Sequence, residues 1–282
     1  MSASLLRGAL AHAGGALLAA LGTSSATAQA PPSVASINLC ADQLVLTLAD
    51  PAQIVTVSWL AADPEESMLA ATAARYPLNY GSAEELLRYD PDVVIAGEYT
   101  TPFTRLQLER LGYDIVTITS ETTIADIERN LRIVGRALAQ EARAEQQVSE
   151  LRERARASAA RQPARPVTAV VVRPGGFTVG SDALAHDLMT LAGIRNVAAE
   201  QGLDRWGSLS METLVRSSPD LLVLSDYHAN EPSLANAVLE HPALARLGAR
   251  YRSVVVPARL SSCGLPQSLE STALLQEAAA RR

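Results

Sequence analysis

Short apolar runs alternate with stretches of helical period along most of the chain. Runs at residues 33–39, 54–59, 92–96, 114–118, 167–173, 221–224 and 253–257 read as buried strands. Helices are predicted at 42–48, 83–88, 104–111, 183–192, 211–216 and 234–239, with a last one from residue 268, and 194–197 reads as strand or loop. This rhythm predicts βαβ units and parallel sheets, an α/β fold. It breaks once. Residues 124–160 contain no Pro and one Gly, and Ile124, Ile127, Leu131, Val134, Leu138, Val148 and Leu151 form a helical stripe among strong helix formers. The pattern predicts one helix about 55 Å long at ~1.5 Å per residue. Arg161-Gln162-Pro163-Ala164-Arg165-Pro166 then ends it. So long a helix exceeds what one small α/β unit needs. Two α/β lobes are expected, at 33–122 and 166–282, joined by a bridging helix at 123–161.

Two segments repeat in register. Ser82-Ala83-Glu84-Glu85-Leu86-Leu87-Arg88 leads into Pro91-Asp92 and an apolar strand, and Ser210-Met211-Glu212-Thr213-Leu214-Val215-Arg216 leads into Pro219-Asp220 and another. Ser caps a short helix, Glu sits near its positive end, and Pro-Asp turns the chain into the strand. Glu84 and Glu212 therefore read either as complements to a helix dipole or as one surface carboxylate on each of two related lobes.

Residues 1–28 read as a cleaved export signal: one early charge at Arg7, an apolar run over 9–21, then Ala26-Thr27-Ala28. The run is too short for a comfortable membrane span, so a periplasmic protein is expected. With 48% hydrophobic residues the chain has material for a core, and its net charge of -6 argues against a partner bound through phosphates. All basic residues are Arg, which excludes Lys Schiff-base chemistry and the phosphate-binding loop that needs Lys. Gly175-Gly176-Phe177-Thr178-Val179-Gly180 has the wrong spacing for a dinucleotide loop, and no Gly-x-Ser-x-Gly elbow occurs. His186, His228 and His241 share no metal spacing. Cys40 and Cys263 each follow an apolar strand, where open α/β sheets line their ligand crevice. Three readings stay open for them: a disulfide across the cleft, two free thiols, or thiolates touching a bound metal complex.

Taken together, Ser36-Ile37-Asn38-Leu39-Cys40-Ala41-Asp42, Ile54-Val55-Thr56-Val57-Ser58-Trp59, the paired repeats, the long helix and Arg205-Trp206-Gly207 give a resemblance. Over residues 34–280 the chain resembles periplasmic substrate-binding proteins of ABC importers for cobalamin and ferric siderophores. The resemblance implies two Rossmann-like lobes on a long backbone α-helix, the class III periplasmic binding protein architecture, with modest closure on binding. It implies that Glu84 and Glu212 meet arginines on a membrane permease dimer, whose ATPase supplies the energy. It also implies a ligand held between the lobes by Asn38, Cys40, Trp59, Tyr80 and Tyr99 from the first and Phe177, Trp206, Tyr227, Arg259 and Cys263 from the second. Phe177 and Trp206 match positions flanking the corrin ring, so cobalamin or another corrinoid is the first expected cargo. A ferric siderophore or haem is the alternative, and Leu60 departs from the cobalamin pattern by lacking an aromatic. No catalysis, resident cofactor, protein-bound metal or nucleic-acid partner is expected, and the protein is expected to be a monomer. A two-lobed cleft enzyme is the rival reading.

Overall fold

The apolar runs become strands because both of their faces are covered. A computed structural model describes residues 30–225 and 252–281. The export-signal reading, the helix expected at 234–239, and Tyr227, His228 and His241 lie outside the described residues. The first half runs β1 (Val34–Ser36), α1 (Leu39–Leu48), β2 (Ile54–Ser58), α2 (Ala70–Ala73), β3 (Leu78–Asn79), α3 (Ala83–Leu86), β4 (Val93–Gly97), α4 (Pro102–Arg110) and β5 (Asp114–Ile118). Its strands form one parallel sheet in the order β3-β2-β1-β4-β5. Every residue of β1 and β4 is buried, as expected for central parallel strands. The expected strand at 33–39 is shorter than its apolar run. Asn38 caps α1 by accepting from the Cys40 and Ala41 amides, so the helix begins at Leu39 rather than at residue 42.

The single helix expected over 123–161 is corrected to two, α5 (Ile124–Ala137) and α6 (Glu141–Ala159). Ala139 adopts a left-handed φ of 54° between them. The two then run antiparallel, with Arg132 on Glu145 and Arg152 on Glu128, both at 2.6 Å. Gly135 makes this approach feasible, because a Cβ there would stand 2.5 Å from the Ala144 Cβ. No Pro or Gly occupies the turn itself, so local propensity carries little trace of it. α6 alone spans about 28 Å. It packs on α5, on α7 (Leu184–Leu191) and on the turn Pro266–Leu269, and so touches both halves of the chain.

The second half continues from β6 (Val167–Val172) through β7 (Phe177–Val179), α7, β8 (Ile194–Asn196), α8 (Val197–Glu200), β9 (Trp206–Ser208), α9 (Met211–Ser217), β10 (Leu221–Ser225), β11 (Arg252–Val256) and α10 (Arg259–Ser262) to α11 (Glu270–Ala280). Its parallel sheet has the order β11-β10-β6-β8, and β7 and β9 form a separate antiparallel pair. The repeat is visible atom by atom. Asp92 Oδ2 accepts from Ser33 N and Oγ at 2.7 Å each, while Asp220 Oδ2 accepts from Thr168 N and Oγ1 at 2.8 Å each. The residues just before each Pro-Asp, namely Asp90 and Ser218, take left-handed φ values of 43° and 44°.

The halves share a core. The main apolar cluster of the first sheet takes in α5 and α6 and continues into Leu184, Leu188, Leu265 and Leu269 of the second half. The second sheet keeps its own smaller cluster around Val171, Leu221 and Val223. The described residues from Pro31 onward accordingly form one compact unit.

Candidate functional site

In each sheet the chain lays strands to one side of its first strand and then returns to the other. The resulting switch points fall beside β1 and β4 in the first sheet and beside β6 and β10 in the second, where open α/β folds place ligands beyond the carboxyl ends of the strands. A cavity of about 390 Å³ lies there. Asn38 enters it after β1, Tyr99 after β4 and Arg173 after β6, while Trp206 comes from the β7–β9 ribbon. The volume is at the lower end of the ~300–1,000 Å³ typical of small-molecule sites. Gly97 lets the strand end pass Asn38, since a Cβ there would be 2.8 Å from the Asn38 Cγ.

The floor of the cavity is a seam between the halves. Cys40, at the start of α1, is bonded to Cys263, just after α10, with an S–S distance of 2.06 Å and Cα atoms 5.1 Å apart. Of the three readings for these cysteines, this geometry corresponds to the disulfide. Beside it, the Glu121 carboxylate accepts from Asn130 Nδ2 at 2.7 Å and from the Gly264 backbone. Burial raises the Glu121 pKa above the usual carboxylate range, against the lowering pull of those hydrogen bonds. Asp187 on α7 reaches the other way and accepts from the Ile124 amide at 2.8 Å. Each half thus lends a carboxylate to the backbone of the other.

Across the mouth stands Arg205. Its Nε and Nη2 donate to Asp182 Oδ2 at 2.9 and 2.8 Å, and its Nη1 donates to Tyr99 OH at 2.8 Å. The hydrogen bond that Arg205 donates to Asp182 raises its already high pKa, so it is cationic at any physiological pH. Arg173 lies with its guanidinium carbon 4.8 Å from the Trp206 ring centroid. Both Trp and both Phe residues are exposed, from 45% for Trp59 to 69% for Phe103. These large apolar rings serve surfaces rather than the core.

Of the residues expected at the site, Asn38, Cys40, Tyr99 and Trp206 meet at this cavity. Trp59 and Tyr80 do not line it. They stack on each other, centroids 6.2 Å apart, beyond β2 and β3, strands that lie two and three spacings, about 10 and 14 Å, from the β4 that leads to Tyr99. Phe177 is exposed on the β7–β9 ribbon, Cys263 is buried in its disulfide, and Arg259 opens α10 outside the cavity lining. Sequence reading passed over Glu98, Glu121, Asp182, Ser261 and Ser262, all of which line it. The polar run Thr119-Ser120-Glu121-Thr122-Thr123, directly after a strand, was the available signal for Glu121. Glu84 and Glu212 are exposed on α3 and α9, and Glu212 pairs with Arg216 at 2.7 Å. Among the described residues no cluster of three or more His, Cys, Asp or Glu could hold a metal ion, and no helix is long and apolar enough to cross a membrane.

Two parallel α/β lobes meeting at a cleft beyond both sheets, on a helical connection, define the fold of a class III solute-binding protein. The chain belongs to the periplasmic binding protein family, whose family model, described as Periplasmic binding protein, matches residues 34–251. The fold is similar to the periplasmic heme binding protein HutB of Vibrio cholerae, at a TM-score of 0.76 and 22% identity over 88% of this chain and 99% of that one. A periplasmic heme binding protein from Pseudomonas aeruginosa is similar at 0.69 and 26%, over 86% and 92%. The periplasmic vitamin B12 binding protein BtuF of Vibrio cholerae is similar at 0.65 and 17%, over 90% and 100%. No curated protein matches the chain.

Proposed function

We propose that the protein captures a metal chelate in the cleft between lobes at 33–122 and 166–282, linked through 123–161, and delivers it to an ABC permease. The observation that carries this reading is the convergence of an aromatic ring from each half, Tyr99 and Trp206, with Arg173 and Arg205 of the second half on one cavity at the switch points of both sheets. Aromatic faces suit a broad, flat ligand. Cobalamin is the cargo the sequence resemblance puts first. Haem is the second reading, favoured by the two arginines at the cavity and by the heme-binding proteins among the structural relatives. The shared core and the cross-cleft disulfide support modest closure rather than a wide hinge.

Glu84 and Glu212 are the docking pair in this reading, one on each lobe, facing a symmetric partner. Export through residues 1–28, residence in the periplasm, a monomeric state and the absence of catalysis belong to the same proposal. The test is titration of cyanocobalamin, hemin and a ferric hydroxamate, followed by quenching of Trp59 and Trp206 fluorescence. Micromolar or tighter binding of one is expected, and failure of all three overturns chelate capture. The Glu84→Ala, Glu212→Ala double variant should bind that ligand normally but not support its uptake by cells. Unimpaired uptake overturns the docking role.

A further inference from the structure

Leu87 and Val215 hold the same position in the two repeats, three residues after Glu84 and Glu212. Residues three apart on a helical turn are surface neighbours, so each copy sets an aliphatic side chain beside an acid. The preceding leucines, Leu86 and Leu214, are buried, whereas Leu87 and Val215 are 51% and 42% exposed. Other positions outside the core differ in kind between the copies: Glu85 stands where the second has Thr213, and Tyr89 where it has Ser217. A single exposed leucine needs no explanation. An aliphatic group exposed at one position of both copies, each time beside an exposed acid, marks a surface with a use.

The acids of the two copies are not equally available. In the first, Glu85 closes the capping box, accepting from the Tyr80 and Ser82 amides at 2.9 and 3.3 Å, and Glu84 is left on the exposed side. In the second, Glu212 shares its charge with Arg216 at 2.7 Å. An exposed pair of this kind is weak, yet a cation approaching that side meets a partly neutralised acid. Charge is therefore an uneven mark of the two halves, while the aliphatic group is common to both.

We propose that Leu87 and Val215 are twin apolar anchors of the docking face, each seated in an apolar hollow beside a cation on one subunit of a two-fold symmetric membrane protein. The proposal rests on the reading of Glu84 and Glu212 as the docking pair and names what the partner presents to each of them. Equivalent groups on two related halves match a partner that shows the same surface twice. The acids steer and orient the encounter, and burial of the aliphatic groups holds it.

The test is titration of fluorescently labelled protein onto inner-membrane vesicles from its own cells, periplasmic face outward, and onto protein-free liposomes of the same lipids. Saturable binding to the vesicles alone is expected. Leu87→Ala and Val215→Ala should each weaken it about fivefold or more, while Leu87→Met and Val215→Ile should keep it. Thermal unfolding of all four variants should match the native protein, because the positions are exposed. Salt at ~0.5 M should weaken native binding by screening the acids, yet leave the loss caused by Leu87→Ala in place. Native-strength binding of both Ala variants, with binding lost in the Glu84→Ala, Glu212→Ala double variant, overturns the anchors and leaves docking through the acids standing. If the acid variant and both Ala variants bind like the native protein, docking through this face falls and takes the proposal with it. Equal binding to liposomes also overturns it, because the surface then meets lipid rather than a protein.

Discussion

The helix after the first strand of each sheet carries an aspartate at its fourth position, Asp42 on α1 and Asp187 on α7. The local plan is the same and the outcome differs. Asp42 turns into its own half, where its two oxygens accept from Ser36 Oγ, Ser58 N and Ser58 Oγ. Asp187 crosses the seam and holds the first amide of α5. A duplicated element thus keeps its local chemistry, while the partner it reaches depends on which half is packed against the shared helices. The ribbon strands teach the same lesson. β3 stays in the first sheet, whereas β9, at the corresponding place in the chain, leaves the second sheet to pair with β7 and carries Trp206 to the cleft.

The seam provides the largest way to break this comparison. Replacing Cys40 and Cys263 by Ser opens a loop spanning a sequence separation of 223 residues. By the chain-entropy account it should cost up to about 5 kcal/mol, read as a lower guanidinium midpoint. A loss below about 1 kcal/mol would mean that the shared core alone fixes the halves.

The two aspartates give the next largest effect. Burial raises the Asp42 pKa to about 6 from 3.8, against the hydrogen bonds from Ser36 and Ser58. The native state therefore binds this proton more tightly than the unfolded chain does. Its contribution to stability falls as pH rises from about 4 to about 6, by about 3 kcal/mol in all, at about 1.4 kcal/mol per pH unit. Asp42→Asn should remove this decline while keeping the acceptor for Ser58 N. Urea midpoints at pH 4.5 and 7.5 measure it, and an unchanged slope would count against the buried carboxyl as its source. Asp187→Asn should instead cost about 1 kcal/mol at pH 7.5.

The smallest effect tests the likeness of the halves itself. Asp92→Ala and Asp220→Ala each remove one carboxylate that clamps the start of a strand, so each should cost about 1 kcal/mol. Thermal unfolding of both variants should agree within about 0.5 kcal/mol. A clear inequality would show that the equivalence ends at geometry.

Much of the fold was legible because it is local. Alternation of apolar runs and helical period marked β1, β4, β6 and β10, and the paired Ser-to-Pro-Asp segments marked α3 and α9. The turn at 138–140 was not legible, because no breaker stands there and the apolar stripe continues through it. What reverses the chain is the fit of Gly135 under Ala144, a contact between residues that lie on different helices. At the cleft, Tyr99 and Trp206 could be picked out as aromatics, and Asn38 and Cys40 as residues close behind the first apolar strand. Glu121, Asp182 and Ser261 could not, since polar residues in loops are common and only packing selects those that face a cavity.

The sequence by itself determined the parallel α/β halves and their duplication, since both follow from periodicity, capping and turn residues within a few positions of one another; the family was legible through the resemblance its motifs carry. The tertiary structure alone decided the helical hairpin in place of a rod, the pairing of Cys40 with Cys263, and the position of Arg173 against Trp206. Those depend on which distant surfaces exclude water together, and burial of that kind is set by the whole chain rather than by any stretch of it.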